Sequence, residues 1–552
     1  MKRAKPVYAA PTAEELIHRH SQLKSARDNF DSQRQEIKDL IWPDGGDFTT
    51  TREPGQRTNV QIYDMHAALY AEQGASALET YLTPRTQQWH RLTASEPKLM
   101  EAPRVKEFFE TSNDVLFKFR NSPRAQFYGS MHEGWKSTLV YGDNCIRVRE
   151  LPRGGTDYRY IHVGQTWIDV DADNVVDTIF YAYPLTAKAA IGRWGAEAPR
   201  VAKDAIGTNP SAKHKYLHCV YPNPEHDPKR LTPEGMRFTA YEVCIDSKEI
   251  LERGGYHELP YKWSRYTVNP GEMYGRGAGM LVRPDIKTLN EMQRVFLRSG
   301  QKVADPPLLA IDDGALGRGN KRIRLQSGAI TMGGLDSQGR PMVMPLQTGA
   351  RLDITLEMMN SIRELIRKAF LVDVWEILVQ DRVQMTATEV LERKNEKGQL
   401  LAPVIGRQQS ELLGPMIERE IAIAQRQGKL PPLPPELIEA QGDYEIEYES
   451  DATRMQKGAE VAALSRTFEA VAPFLQANPS LLELWKQDET IRSTYQVLGG
   501  STRNLRSASD YAQVQQAVQQ AAQQQSLMDS VPGAAKGLRD VAAAGKDLRV
   551  AA

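Results

Sequence analysis

Several things are scarce in this 552-residue sequence, and each scarcity removes a class of protein. There are only three cysteines, Cys145, Cys219 and Cys244, and no pair has the C-x-x-C spacing. A disulfide framework is therefore excluded, and a reducing compartment is expected. No apolar run approaches the roughly 18 residues of a membrane span. The stretch Phe370 to Val379 comes nearest and is broken by Asp373 and Glu376. The N-terminal MKRAKPVYAAPTAEEL is basic but has no apolar core, so no signal peptide is expected. Net charge is also missing, with 70 Lys+Arg against 70 Asp+Glu. That excludes a generic polybasic nucleic-acid binder and an acidic solvating tail. Any contact with DNA must then be local or weak.

Catalytic and metal motifs are present only as fragments. Gly314 to Gly319 has phosphate-loop spacing, but Asn320 and Lys321 follow where Lys and Ser/Thr are needed. Asp169 to Asn174 opens like a calcium loop, yet lacks its glycine, and Phe180 stands where the bidentate Glu belongs. A hairpin turn is the better reading. His214, His218, Cys219 and His226 have no second cluster to complete a zinc site. Asp312 and Asp313 would point apart on a short strand, which makes a poor acid/base dyad. No cofactor, no metal and no enzymatic activity are expected.

What the sequence does contain is an order of elements. Residues from about Thr12 to Trp42 read as helix, with Leu16, Leu23, Phe30, Ile37 and Ile41 at helical spacing. Further helices are predicted from about Ile62 to Leu82 and Pro103 to Arg120. From about Val140 to Trp263 the chain turns strand-rich, with Cys145–Arg149, Thr166–Val170, Val175–Tyr183, Lys215–Tyr221 and Phe238–Ile250 as strands. This predicts an α+β region with a mainly antiparallel sheet.

Two amphipathic helices come next. Helix A, about Leu281 to Ala304, carries an apolar stripe of Leu289, Met292, Phe296 and Val303 at ~100° per residue. Lys287, Arg294, Arg298 and Lys302 lie almost opposite. Helix B, about Arg351 to Leu371, carries Leu352, Leu356, Met359, Ile362, Ile366 and Phe370. Matching stripes predict an antiparallel stalk holding the intervening residues at its far end. Thr386 to Glu389 reads as a capping box opening a helix to about Gln427, bent at Pro403 and Pro415. A Pro-rich linker, Leu430 to Pro435, and a Gln/Ala-rich end follow.

The most distinctive residues are Leu259–Tyr261, Arg265–Tyr266 and Pro270–Gly277, followed by Asp285–Asn290 and Asp305–Leu309. Met385–Val390 with Arg393 and Glu396 completes the series. In this block Pro270–Gly271 makes a turn, and Gly275 and Gly277 allow close backbone approach beside helix A. In this order the motifs resemble the portal, or head-to-tail connecting, protein family of short-tailed bacteriophages. The resemblance covers about Thr12 to Gly428 and leaves the Gln-rich end poorly covered.

The resemblance implies an α+β portal fold of wing, helical-hairpin stem, small β-containing clip and helical crown, assembled as a ring, usually of twelve subunits. On this chain it implies wing over 1–279, stem helix A over 280–305, clip over 306–347 and stem helix B over 348–371. A channel loop over 372–385, a long wing helix over 386–429, linker and crown over 430–504 and a helical end over 505–552 follow. It further implies a channel for double-stranded DNA at one capsid vertex in the virion, with assembly in the host cytoplasm. Its implied partners are the large terminase subunit, tail adaptor or head-completion proteins, and the major capsid and scaffolding proteins.

Residue roles follow as expectations. Arg318, Lys321, Arg322 and Arg324 in the clip would dock the motor or adaptor. Trp375, Gln380, Asp381 and Arg382 would form the channel loop. The stripe Lys287, Arg294, Arg298 and Lys302 would face DNA or pair with acids of a neighbouring subunit, such as Asp353, Glu357 or Glu364. Two other classes compete. A packaging ATPase or nuclease needs a complete phosphate loop and an acidic metal cluster. A tail adaptor or scaffold is usually a shorter chain without the two-helix layout.

Overall fold

The first helix begins where its capping chemistry sits. In a computed structural model of the chain, Thr12 Oγ1 accepts the Glu15 amide at 3.3 Å and Glu15 Oε2 accepts the Thr12 amide at 2.8 Å. This reciprocal cap starts α1 (Ala13–Ile41). The structure describes residues 10–53, 55–56, 61–230, 232–310, 335, 338–341, 343–346, 352–373, 402–439 and 444–448, with isolated helical positions between 467 and 520.

After α1 come α2 (His66–Leu82), β1 (His90–Ala94), α3 (Pro103–Asn121) and α4 (Phe127–Tyr141). Strands β2 (Asp143–Glu150), β3 (Thr156–Tyr160), β4 (Thr166–Val170) and β5 (Val176–Thr186) lead to α5 (Ala187–Trp194) and α6 (Arg200–Ile206). Then follow β6 (Lys213–Pro222), β7 (Phe238–Cys244), β8 (Glu249–Tyr256), β9 (Tyr261–Arg265) and the short α7 (Ala278–Leu281). The helical hairpin is α8 (Arg283–Ala304), β10 (Leu308–Ala310), β11 (Val343–Pro345) and α9 (Leu352–Ala369). Last come α10 (Gly414–Arg426), α11 (Pro435–Glu439) and β12 (Tyr444–Tyr448).

Two sheets carry the middle of the chain. One is a five-stranded antiparallel meander in the order β4-β5-β6-β7-β8; the other has the order β3-β2-β9. The region is the mixed helix-and-sheet fold that its strand-rich pattern predicts. The β4–β5 turn is the one read from Asp171 to Asn174. Asp171 Oδ1 accepts the amides of Asp173 and Val175 at 2.9 Å, and Asn174 takes φ 61°. The stretch Phe238 to Ile250, expected as one strand, is two. Lys248 at φ 54° turns the chain back so that β7 pairs with β8.

Helix α1 runs across this framework and buries charge as well as apolar surface. Arg27, Asp31, Arg34 and Lys38 lie on one face and are all buried. Arg27 donates to the carbonyls of Val163 (2.8 Å), Gly164 (3.0 Å) and Thr166 and pairs with Asp31 at 2.8 Å. Arg34 pairs with Asp143, whose other oxygen accepts the Gly275 amide at 2.8 Å. Burial lowers Arg27 and raises Asp31, as desolvation of any ion must. An opposite charge beside each, Asp31 for Arg27, Asp143 for Arg34 and Asp47 for Lys38, keeps them tolerable.

The chain divides into two compact units. The first takes everything up to Gln87 and Leu116–Gln427, including both larger sheets and the helical hairpin. The second takes Gln88–Val115 and the chain from Gly428. In the second unit β1 pairs antiparallel with β12, with Leu92 opposite Ile446. The Leu92 amide donates to Asn113 Oδ1 at 3.0 Å, which fixes α3 against this ribbon.

Candidate functional site

The helical hairpin is the feature that the sequence singles out, and its geometry starts from its caps. Pro284 opens α8, Asp285 lies in its first turn and Lys302 in its last, each at the end its charge favours. Helix α9 repeats the pattern with Asp353 first and Arg367 and Lys368 last. The two helices pack on each other. At their far ends β10 and β11 pair antiparallel, Leu309 opposite Met344, and the Leu346 amide reaches the Pro307 carbonyl at 2.8 Å.

The foot of the hairpin is anchored by apolar packing and by one arginine. Ile286, Leu289, Ile366 and Phe370 are buried there, and Met359 is buried further out on α9. Arg363 forks onto Asp64 Oδ2 through Nε (3.1 Å) and NH2 (2.7 Å), and reaches Gln293 Oε1 on α8 at 3.2 Å. Burial pushes the Asp64 carboxyl up, but Arg363 and the His66 amide outweigh it and hold it below its ordinary value. Leu371, at φ 57°, then turns the chain out of α9.

Several apolar side chains of the hairpin stand open, most of them in its outer half. Val295, Leu297 and Val303 on α8 are exposed, as are Ile354, Leu356, Met358 and Leu365 on α9. Of the stripe predicted on α8, Leu289 is 1% exposed and Val303 is 53% exposed. A two-helix hairpin buries one flank of each helix against the other, so the outer apolar side chains need further neighbours.

The basic stripe of α8 divides in two. Lys287 pairs with Glu36 of α1, which also holds Arg283 at 3.1 Å, and Arg294 pairs with Glu291 one turn back. Arg298 is exposed and Lys302 is exposed, and among the described residues neither makes an ion pair. Of the acids expected opposite them, Glu364 lies 3.9 Å from Arg367 of its own helix. Arg318, Lys321, Arg322 and Arg324 lie outside the described residues, as do Trp375, Gln380, Asp381 and Arg382. The capping box at Thr386 also falls there, whereas residues 402–426 are helical. A π-helical turn, Gln409–Leu413, precedes Pro415. Proline removes one N–H and crowds the carbonyl four residues back, and the wider turn relieves both.

The distinctive motif holds the scaffold together. Around Pro270–Gly271 the Glu272 amide donates to the Asn269 carbonyl at 3.1 Å, with Gly271 at φ 80°. A Cβ on Gly275 would strike the Gly142 carbonyl, and one on Gly277 would lie 2.6 Å from the Leu139 carbonyl. Arg265 forks onto Glu411 of the π turn (2.8 and 3.2 Å) and donates to the Asn174 carbonyl at 2.9 Å. Tyr261 is buried with its hydroxyl 2.6 Å from His218 Nδ1. Sequence reasoning missed these partners, because each lies 40 to 150 residues away with no local signal; for Arg265 and Glu411 the separation is 146.

In these observations the signature residues brace a framework, and the helical hairpin is left with open flanks. The description of the bacteriophage head to tail connecting protein family matches residues 13–505. A portal protein of Salmonella phage epsilon15 is 24% identical over 500 residues, covering 88% of each chain. A probable portal protein of Bordetella phage BPP-1 is 23% identical over 494 residues, covering 88% of this chain and 87% of the relative. The chain belongs to the bacteriophage head to tail connecting family, the portal class, whose members are structural components of the virion rather than enzymes.

Proposed function

We propose that twelve copies of this chain close into a ring at a single capsid vertex and that double-stranded DNA passes through its centre during packaging and ejection. The observation that carries this reading is the hairpin's outer half, where apolar side chains of both helices stand exposed on one chain. Adjacent copies in a ring would cover them. In this reading 280–305 and 348–371 are the stem, and 306–347 is the clip. Residues 372–385 are the channel loop, where Trp375, Gln380, Asp381 and Arg382 lie near DNA. The wing is 1–279 with the return helix 386–429, and the crown follows the linker.

The clip cluster Arg318, Lys321, Arg322 and Arg324 docks acidic surfaces of the large terminase subunit, and later of tail adaptors. Capsid and scaffolding proteins surround the wing, and the ring forms in the host cytoplasm. With Lys287 and Arg294 held within the chain, Arg298 and Lys302 remain for acids of the next copy, Glu357 among them. A conduit must not grip its cargo, since every neutralised phosphate adds affinity and slows sliding. The balance of 70 basic and 70 acidic residues agrees with that requirement. Gold-labelled antibody against the chain tests the location. On partly opened virions it should mark one vertex per capsid. Label spread over every vertex would rule the reading out.

A further inference from the structure

Each helix of the hairpin has a face turned away from the other, and the two faces differ in charge. At about 100° per residue, Asp353, Glu357 and Glu364 form one row on α9, about 140° round from the buried line of Met359, Ile366 and Phe370. Ile354, Met358 and Leu365 form a second row beside it, and both rows are exposed. On α8, Arg298 and Lys302 lie across the helix from Leu289 and Phe296, and the exposed Val295 stands next to them.

Heights along the hairpin follow from one contact. Arg363 on α9 reaches Gln293 on α8 at 3.2 Å, and the two helices run in opposite directions. A step up α8 is therefore a step back along α9. Arg298, five residues beyond Gln293, is level with Glu357 and Met358. Val295 is level with Ser361, a small exposed residue with Met358 and Leu365 one turn to either side. Lys302 is level with Asp353 and Ile354. The far end agrees, since Leu308 stands opposite Pro345 there. Within one chain these level residues sit on opposite outer faces and cannot meet. Between two chains side by side they can.

Copies related by rotation about an axis along the hairpin meet at equal height. Charge then selects which faces join. With α8 against α8, Arg298 and Lys302 would face their own kind, and with α9 against α9 so would Glu357 and Glu364; like charges in contact oppose association. Only α8 against α9 opposes the signs. Handedness agrees as well. Viewed from the foot, Val295 lies to the same side of Arg298 as Met358 and Leu365 lie of Glu357, because the helices run in opposite directions. We propose that α8 of one copy seats on α9 of the next, with Arg298 at Glu357 and Val295 in the notch that Ser361 leaves between Met358 and Leu365. The joined patches differ, so the contact is head-to-tail and repeats from copy to copy, as a ring requires. This deepens the ring reading and rests on it for closure alone.

The test uses the full-length protein carrying Arg298→Cys and Glu357→Cys together; its own Cys145, Cys219 and Cys244 are buried and leave little background. A short bis-maleimide should give a ladder on a denaturing gel, from covalent dimer up to the whole ring. Either new cysteine alone should leave the chain monomeric on that gel. Val295→Cys with Ser361→Cys should give the same ladder while keeping both charges, which covers a failure of the first pair to assemble. Glu357→Lys should raise the concentration for half-assembly about five-fold, the worth of about one exposed ion pair, and adding Arg298→Glu should recover it. Ready linking through Arg298→Cys alone overturns the proposal in favour of a two-fold contact. So do unlinked double variants whose rings are closed in the electron microscope, or a double reversal no better than the single one. A ladder without closed rings would keep this seam and remove the ring reading instead.

Discussion

Glu420 is fully buried on α10 and accepts from two groups far away in sequence: Arg120 through Nε at 3.1 Å and through its terminal nitrogen, and the Tyr158 hydroxyl. Arg120 is equally buried, so neither charge has water to fall back on. Glu420→Gln should lower stability by about 3 kcal/mol, because it strands a buried guanidinium. The double variant Glu420→Leu with Arg120→Met should cost less than the single one, as breaking a buried pair is worse than replacing it. Calorimetry on both proteins checks the order.

A second residue-scale device is partly exposed. His132 lies between Glu79 (Nδ1, 2.9 Å) and Glu72 (Nε2, 2.8 Å) and clasps α4 to α2. The hydrogen bond to Glu79, followed by that to Glu72, holds the imidazole above its ordinary 6.5. The folded state thus binds this proton more tightly than the unfolded chain. The stabilisation is complete below about pH 6.5 and disappears as pH rises through the folded-state value. The gap in melting temperature between the parent and His132→Gln should be widest near about pH 6 and shrink towards about pH 9. A gap that grows with pH would contradict the clasp.

At the scale of elements, the crossing of Gly142, Gly275 and Gly277 joins the end of α4 to the approach to α8. Gly142 takes φ 89° and its carbonyl accepts the Tyr266 amide at 2.8 Å. Here backbone meets backbone, so no side-chain rotation can make room. Gly275→Ala should cost about 3 kcal/mol, at the upper end of overpacking effects, and urea unfolding of the purified protein measures it. The glycines were legible in the sequence as a site of close approach; the helix end they meet, Leu139 to Gly142, was not. The same contrast runs through the chain. α1, the β4–β5 turn and both hairpin helices announce themselves by periodicity, caps and turn residues. α4 does not: its start, Gln126, is left-handed at φ 53° with no side-chain cap, and its face mixes Trp135 and Leu139 with buried Ser137 and Thr138. β1 was missed because its partner, β12, lies some 350 residues later, a pairing no local pattern encodes. The basic stripe of α8 was legible as a stripe. That Glu36 on α1 takes up Lys287 was not, since the contact spans 251 residues.

For the whole molecule, the decisive fact is the mismatch between a well-buried body and a helical hairpin whose outer apolar side chains remain open. Leu356 is 44% exposed and Met358 55% exposed, while Met359, one residue on, is fully buried. Such a surface on an isolated chain favours association. A cyclic ring lets every copy cover its neighbour in the same way, with no unpaired end. Electron microscopy of the purified full-length protein tests this most directly. Closed rings of twelve subunits around a central hole, with the helical hairpins lining a common axis, are expected. A population that stays monomeric at every concentration, or that forms open filaments without a hole, would contradict it.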